Sequence, residues 1–359
     1  MSDIGVRTLS VNQMVSMLSR VYISLINSNI RFKVFPSVML WGPPGVGKSQ
    51  GIREIANEIE KKTERDVRIT DVRLLLFNPV DLRGIPTANE DKTLAVWLKP
   101  QIFQMDESDD VVNILFLDEI TAAPTSVQAA AYQITLDRMV GEHKLPENCI
   151  VIAAGNRVTD KSVAYNMPRA LANRLCHFEI EEDAGAWHDW AIKNSIHPFI
   201  TGYIEYHSTA LLRSDGPGLA FPTPRSWEMV SNVLNYVSDD IDAVFPLIVG
   251  CIGDSSAGLF RTWTEIYSGL PQMDKVFHGE TEEYPKEKEA HIALKSAMVD
   301  YARKHPDQQL IDSSIEYACH LPWAFRGRLL QDYYRIQELR EYVKENEVFQ
   351  TAVRDGLKC

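Results

Sequence analysis

The chain reads as an α/β protein: a central parallel sheet flanked by helices, followed by a region that is helical alone. Three observations carry this. Short apolar runs alternate with amphipathic stretches as far as residue 180, and that alternation requires crossover connections between parallel strands. One run, VVNILFLDE (111–119), is apolar almost without interruption, as a strand covered on both faces must be. From Trp187 onward the spacing is helical and no convincing strand follows.

Taken in order, VNQMVSMLSRVYISLINSNI (11–30) has apolar residues at helical spacing. SVMLW (37–41) is a short strand that ends in a Gly/Pro cluster, and a helix runs from that cluster, Lys48 to about Lys62. VRITDVRLLLF (67–77) reads as one or two buried strands. NPVDLRGIPTANEDKT (78–93) is rich in turn formers, and AVWLKPQIFQ (95–104) is extended, as half of a hairpin insertion. A helix follows Pro124, then strand CIVIAAGN (149–156), a short helix near 168–174, and a last strand CHFEI (176–180). The polar, turn-rich stretch 268–289 reads as a linker or surface excursion, and 290–359 as helical again. The domain expectation is therefore an α/β core over 1–183 with an insertion near 78–104, a helical lid over 184–255 and a helical C-terminal extension over 256–359.

Composition narrows the class. With 359 residues, 45% hydrophobic and 24% charged, the chain has globular proportions and length for two or three cores. Its 49 acidic against 37 basic residues give a net charge of −12, which disfavours nucleic acid as the main partner. Five scattered cysteines without a C-x-x-C pair argue against a disulfide framework and a zinc site. No secretory leader opens the sequence and no apolar run is long enough for a membrane span, so the expected location is cytoplasmic.

GPPGVGKS satisfies G-x-x-x-x-G-K-[ST] between a strand and a helix. Gly42, Gly45 and Gly47 let the backbone turn its N–H groups toward phosphate, and the helix N-terminus adds partial positive charge. The nucleotide-contacting set is Gly42, Pro43, Pro44, Gly45, Val46, Gly47, Lys48, Ser49 and Gln50. Lys48 reaches the β- and γ-phosphates and Ser49 ligates magnesium. About 70 residues on, four apolar residues lead into Asp118 and Glu119. Asp118 would hold the metal and Glu119 would polarise an attacking water. The implied cofactors are ATP/ADP and Mg2+, and the implied activity is ATP hydrolysis.

With these motifs, residues 36–240 resemble the AAA+ ATPases, and within them the MoxR-like branch. The resemblance implies a P-loop AAA+ core with a helical lid. It matches Asn156, at the end of IAAGN, to the sensor 1 residue that orients water with Glu119. It places an arginine finger, acting in a neighbouring subunit, in MPRALANRL (167–175): Arg174, or alternatively Arg169. Asn173 and Leu175 depart from the acid and aromatic common there. FPTPRSW (221–227) resembles sensor 2, with Thr223 and Pro224 opening a helix and Arg225 reaching the γ-phosphate. NPVDLRGIP with AVWLKPQIF resembles the branch's insertion, where Trp97 and Phe103 are contact aromatics or core packing. Asp81 and Arg83 read as structural or subunit-contacting.

The resemblance further implies a homo-oligomeric, hexameric ring that remodels a protein client, with a von Willebrand A-domain protein as a possible partner. A nucleic-acid motor or loader is the alternative. In PWAFRGR, Trp323, Phe325 and Arg326 read as a docking patch or as a turn that caps a helix.

Overall fold

The computed structural model describes residues 5–157, 167, 172–213 and 218–357. The chain divides into two units, Met1–Glu181 and Glu182–Cys359.

In the first unit the elements are β1 (Thr8–Leu9), α1 (Val11–Asn27), β2 (Val38–Trp41), α2 (Lys48–Thr63), β3 (Asp66–Arg73), α3 (Pro79–Arg83), β4 (Ile85–Ala88), β5 (Ala95–Leu98), β6 (Val111–Asp118), α4 (Thr125–Asp137), β7 (Met139–Val140), β8 (His143–Lys144), β9 (Cys149–Gly155) and β10 (Cys176–Ile180). The main sheet runs β1-β10-β2-β9-β6-β3, every pairing parallel. The first unit is thus an α/β fold, a central parallel sheet with helices on both faces, as the sequence leads one to expect.

Alternation along the central strands builds two cores. Leu40, Ile114, Phe116 and Ile152 face one layer with α1 and α2, while Met39, Leu115, Leu117 and Val151 face the other with α4. In this order β2 is followed in sequence by β3 at one edge and β9 by β10 on the other side of β2, so the strand order reverses between β2 and β9, the place where ligands of open α/β sheets bind. Helix α1 is held at its start by a reciprocal cap: the Gln13 N–H donates to Ser10 Oγ at 3.3 Å and the Ser10 N–H to Gln13 Oε1 at 3.1 Å.

Three expectations need correction here. The run 67–77 is not a buried strand: β3 is the sheet edge, paired only with β6, and its Asp66, Arg68, Asp71 and Arg73 are exposed. Leu75 and Leu76 follow in a 3-10 turn and are also exposed. Helix α1 ends at Asn27 rather than residue 30, with Asn29 left-handed at φ 51°. The segment 78–104 does form a hairpin, β4 antiparallel to β5, but the turn-rich half contributes both α3 and β4. Asp81 there accepts the Asn78 N–H at 2.7 Å, a structural role. Phe103 is fully buried in the core, whereas Trp97 is half-buried and its carbonyl accepts from His143 Nε2 at 2.7 Å.

The second unit contains only helical elements among its described residues: α5 (Ala184–Lys193), α6 (Pro198–Tyr206), α7 (Pro224–Tyr236), α8 (Ile241–Ile252), α9 (Asp254–Thr264), α10 (Met273–Phe277), α11 (Lys288–Lys304), α12 (Gln308–Cys319), α13 (Trp323–Arg335), α14 (Arg340–Glu345) and α15 (Glu347–Arg354). One core gathers Tyr203, Trp227, Phe260 and Trp263; a second gathers Phe277, Leu294, Met298, Leu329 and Tyr333. Helix α11 feeds both, through Ile292 and Ala293 on one side and Leu294 and Met298 on the other. The stretch expected as a linker, 268–289, instead carries α10, whose Val276 and Phe277 are fully buried. Its polar residues hide that anchor from a composition argument.

Buried charge ties this unit together. Lys295 on α11 pairs with Asp332 on α13 and, at 2.9 Å, with Glu205 on α6; His188 on α5 reaches Asp332 at 3.3 Å. Burial works against both charges, yet the facing carboxylates hold Lys295 above its ordinary pKa, and Lys295 and His188 hold Asp332 below its own. No helix among the described residues is long and apolar enough to cross a membrane. Cys149, Cys176, Cys251 and Cys319 are free thiols.

Candidate nucleotide site

Strand β2 delivers Gly42 to the crevice, where the Gly42 N–H donates to the Gly155 carbonyl at 3.3 Å. A Cβ at Gly42 would lie 2.5 Å from the Ile180 carbonyl oxygen, so only glycine lets the chain pass between the ends of β9 and β10. Gly45 (φ 79°) and Gly47 (φ 103°) take left-handed conformations that side chains resist. Between them Val46, 5% exposed, plugs the loop into the core. Pro43 and Gln50 are half-buried and Pro44 is exposed. Gly47 then caps α2, with the Gly51 N–H donating to its carbonyl at 2.8 Å.

Lys48 is the first residue of that helix and is 8% exposed. Its ammonium donates to the carbonyls of Gly42 at 2.6 Å and Pro43 at 3.0 Å and to Asn156 Oδ1 at 3.3 Å. The loop is thus curled around a buried positive charge that bonds three neutral oxygens. One residue on, the Ser49 hydroxyl donates to Asp118 Oδ2 at 3.2 Å. Asp118 ends β6, and its other oxygen accepts the Glu119 N–H at 2.8 Å. Glu119 stands at φ 57°, a left-handed conformation in a non-glycine residue. Lys48, Ser49, Asp118, Glu119 and Asn156, drawn from three separate stretches of sequence, therefore meet at one end of the sheet.

The acidic side of the site extends further than the sequence suggested. Asp71 on β3, exposed as a residue but partly desolvated at its carboxylate, has its pKa raised by that partial desolvation and by the charge of Asp118, against Arg73 and Arg53. Negative potential of that kind favours a cation beside Asp118. A magnesium ion fits the donors present: one hydroxyl and one carboxylate on neighbouring strand and helix ends, leaving the remaining positions to phosphate and water, as Mg2+ prefers. No group of three or more His, Cys, Asp or Glu among the described residues is placed to hold a metal by itself.

Sequence reasoning passed over Thr121, Arg157 and His177. Thr121 bonds the backbone of Asn156, Arg157 pairs with the buried carboxylate of Glu179, and His177 accepts from Trp41 Nε1 at 2.8 Å while its Nε2 donates to the Ala172 carbonyl at 2.7 Å. Arg174 sits exposed in the turn before β10. Arg169 lies outside the described residues, as does most of the short helix expected near 168–174. Arg225 belongs to the second unit, exposed at the second position of α7. Thr223 caps that helix: its hydroxyl accepts the Ser226 N–H at 3.0 Å, with Pro224 as the first helical residue. Phe325 is buried at the start of α13 beside exposed Trp323, over whose ring the Arg326 guanidinium lies at 4.9 Å.

Residues 37–177 match the family described as "ATPase family associated with various cellular activities (AAA)". No curated protein matches the chain. Among solved structures, a putative ATPase from Cytophaga hutchinsonii is similar at 15% identity and a TM-score of 0.32, over 94% of this chain and 88% of that one. The P216G mutant of Thermotoga maritima RuvB is similar at 13% identity and a TM-score of 0.35, over 94% and 90%.

Proposed function

We propose, starting from an AAA-type nucleotide module, that this chain hydrolyses ATP in the presence of Mg2+. The observation that carries the reading is the bond from Ser49 to Asp118. It joins the phosphate loop to the acidic strand end, with Lys48 poised beside both. Phosphoryl transfer asks the protein mainly for positioning and charge neutralisation. On binding, Lys48 exchanges the loop carbonyls for β- and γ-phosphate oxygens, which releases the Asn156 side chain. Glu119 and Asn156 then hold the attacking water in line with the γ-phosphate, and Glu119 accepts its proton. Magnesium, held by Ser49 and Asp118, would neutralise charge on the phosphates.

Arg174 would complete the site from a neighbouring subunit, with Arg169 as the alternative, and Arg225 would do so from the helical unit. The exposure of Arg174 supports action in trans. That requires a homo-oligomer, and a hexameric ring of MoxR type is the form proposed. The exposed apolar side chains of the β4–β5 hairpin, Ile85, Leu94 and Leu98, support a role in engaging a protein client. The acidic balance weighs against nucleic acid.

Glu119→Gln tests the reading. Phosphate release should fall by about 10²–10⁴-fold, the range for removing a general base, while ATP affinity stays. Normal turnover in that variant removes the assignment. Mixing Arg174→Ala with Lys48→Ala subunits should restore some activity if the finger works between subunits.

A further inference from the structure

We propose that Thr121 is a positioning residue of the hydrolytic site, its hydroxyl setting where Asn156 stands relative to Glu119. This rests on the reading that those two residues share the attacking water.

The local backbone explains why such a device is needed. Pairing between β6 and β9 ends at Leu117 and Ala153. Beyond it the chain turns through left-handed Glu119, and one further backbone bond, from the Ile120 N–H to the Ala154 carbonyl at 3.0 Å, carries the ladder on. The next rung is made by a side chain. Thr121 Oγ1 accepts the Asn156 N–H at 3.0 Å and donates to the Asn156 carbonyl at 3.1 Å. One hydroxyl thus holds a single residue by both its backbone groups, standing in for a strand that has already turned away.

Three further facts show that the clamp is tight. Thr121 is 2% exposed, so water does not compete for its hydroxyl. A Cβ at Gly155 would lie 2.7 Å from both Thr121 Oγ1 and Thr121 Cγ2, so this side chain sits directly on the backbone of β9. The Thr121 carbonyl accepts from Gln128 Nε2 at 3.4 Å, and the same amide reaches the Ala123 carbonyl at 3.0 Å, which ties the turn to α4. Glu119 precedes Thr121 by two residues, and the Ala122 N–H closes the turn on the Glu119 carbonyl at 3.0 Å. Asn156 and Glu119 are therefore referred to one rigid turn, and the distance between their side chains does not drift with the two strands. Lys48, by contrast, opens α2 and bonds the loop carbonyls of Gly42 and Pro43 more closely than the Asn156 side chain, so nucleotide binding depends little on the clamp.

The full chain decides this in steady-state phosphate release with Mg·ATP, alongside ADP affinity by calorimetry. Thr121→Val keeps the shape and removes the hydroxyl; Thr121→Ala removes both; Thr121→Ser keeps the hydroxyl. A misplacement of about 1 Å at a reacting centre costs on the order of 100-fold. The Val and Ala variants should accordingly lose about 10- to 100-fold in kcat, with KM and ADP affinity within about threefold, while Ser keeps kcat within about threefold. A Val or Ala variant with undiminished kcat overturns the proposal, as does one that loses rate and nucleotide affinity together, the mark of a simple structural stitch. Should neither fold, Ser decides: a tenfold loss with the hydroxyl present overturns it. Glu119→Gln is run in parallel. If that variant turns over normally, the shared-water reading fails first; if it is inactive while Thr121→Val is normal, only the Thr121 assignment fails.

Discussion

Replacing Lys48 by Met separates what the lysine does for the loop itself from what it does for a nucleotide. Within the loop the ammonium bonds oxygens of Gly42, Pro43 and Asn156 at 2.6, 3.0 and 3.3 Å. Bonds from an ammonium to neutral oxygens contribute about 1.5 kcal/mol each, and the cost of burying the charge offsets most of that sum, so the protein without nucleotide should change by no more than about 2 kcal/mol. With a nucleotide, charge-assisted bonds to two phosphates at about 1.5 kcal/mol each make roughly 3 kcal/mol, or about 100-fold in affinity. At a concentration 100 times its Kd, nucleotide stabilises the wild type by about 2.7 kcal/mol. After the loss that same concentration equals the new Kd and stabilises by only about 0.4 kcal/mol. At about 2–4 °C per kcal/mol, the nucleotide-induced rise in Tm should shrink from about 5–10 °C to about 1–2 °C. Differential scanning calorimetry with and without ADP measures this. An undiminished shift would refute the reasoning, and so would a collapse of the nucleotide-free melt.

Two further outcomes follow from particular contacts. Gly42→Ala puts a methyl 2.5 Å from the Ile180 carbonyl oxygen and should lower stability by about 1–3 kcal/mol and weaken nucleotide binding, read by denaturant melts and calorimetry. His197, which accepts the Phe199 N–H at the start of α6, has its pKa lowered by burial to about 4. Between that value and its ordinary 6.5 the unfolded chain binds the extra proton, so stability falls as pH drops through this window, by roughly 3 kcal/mol in all. His197→Asn keeps a capping side chain and should remove that part of the acid slope in urea melts at pH 4 and 7. An unchanged slope would exclude His197 as its source.

The core of the first unit was largely legible because its signals are local. A strand, a glycine-rich turn and a helix follow one another directly at 38–63, and the uninterrupted apolar run of β6 ends in its acids. What was hidden depends on pairing at a distance. Edge strand β1 has two residues and no periodicity, and it exists because β10 supplies a neighbour. Whether β3 is central or at the edge follows from strand order, which spacing does not encode. Thr121 looked like any threonine before a helix, because its partner is 35 residues away in sequence and is reached only after β6 and β9 pair. In the helical unit, α10 was missed because five residues, two of them buried, barely register in a polar window.

The Lys295–Asp332–Glu205 cluster bears on how the helical unit can deform. It joins α6, α11 and α13, with His188 bringing in α5. Apolar side chains can slide past one another at modest cost, but here a slip of one helical turn, about 5.4 Å, would strand an ammonium or a carboxylate in oil. Those four helices are in effect keyed like a lock, free to travel as one block and barred from shearing internally.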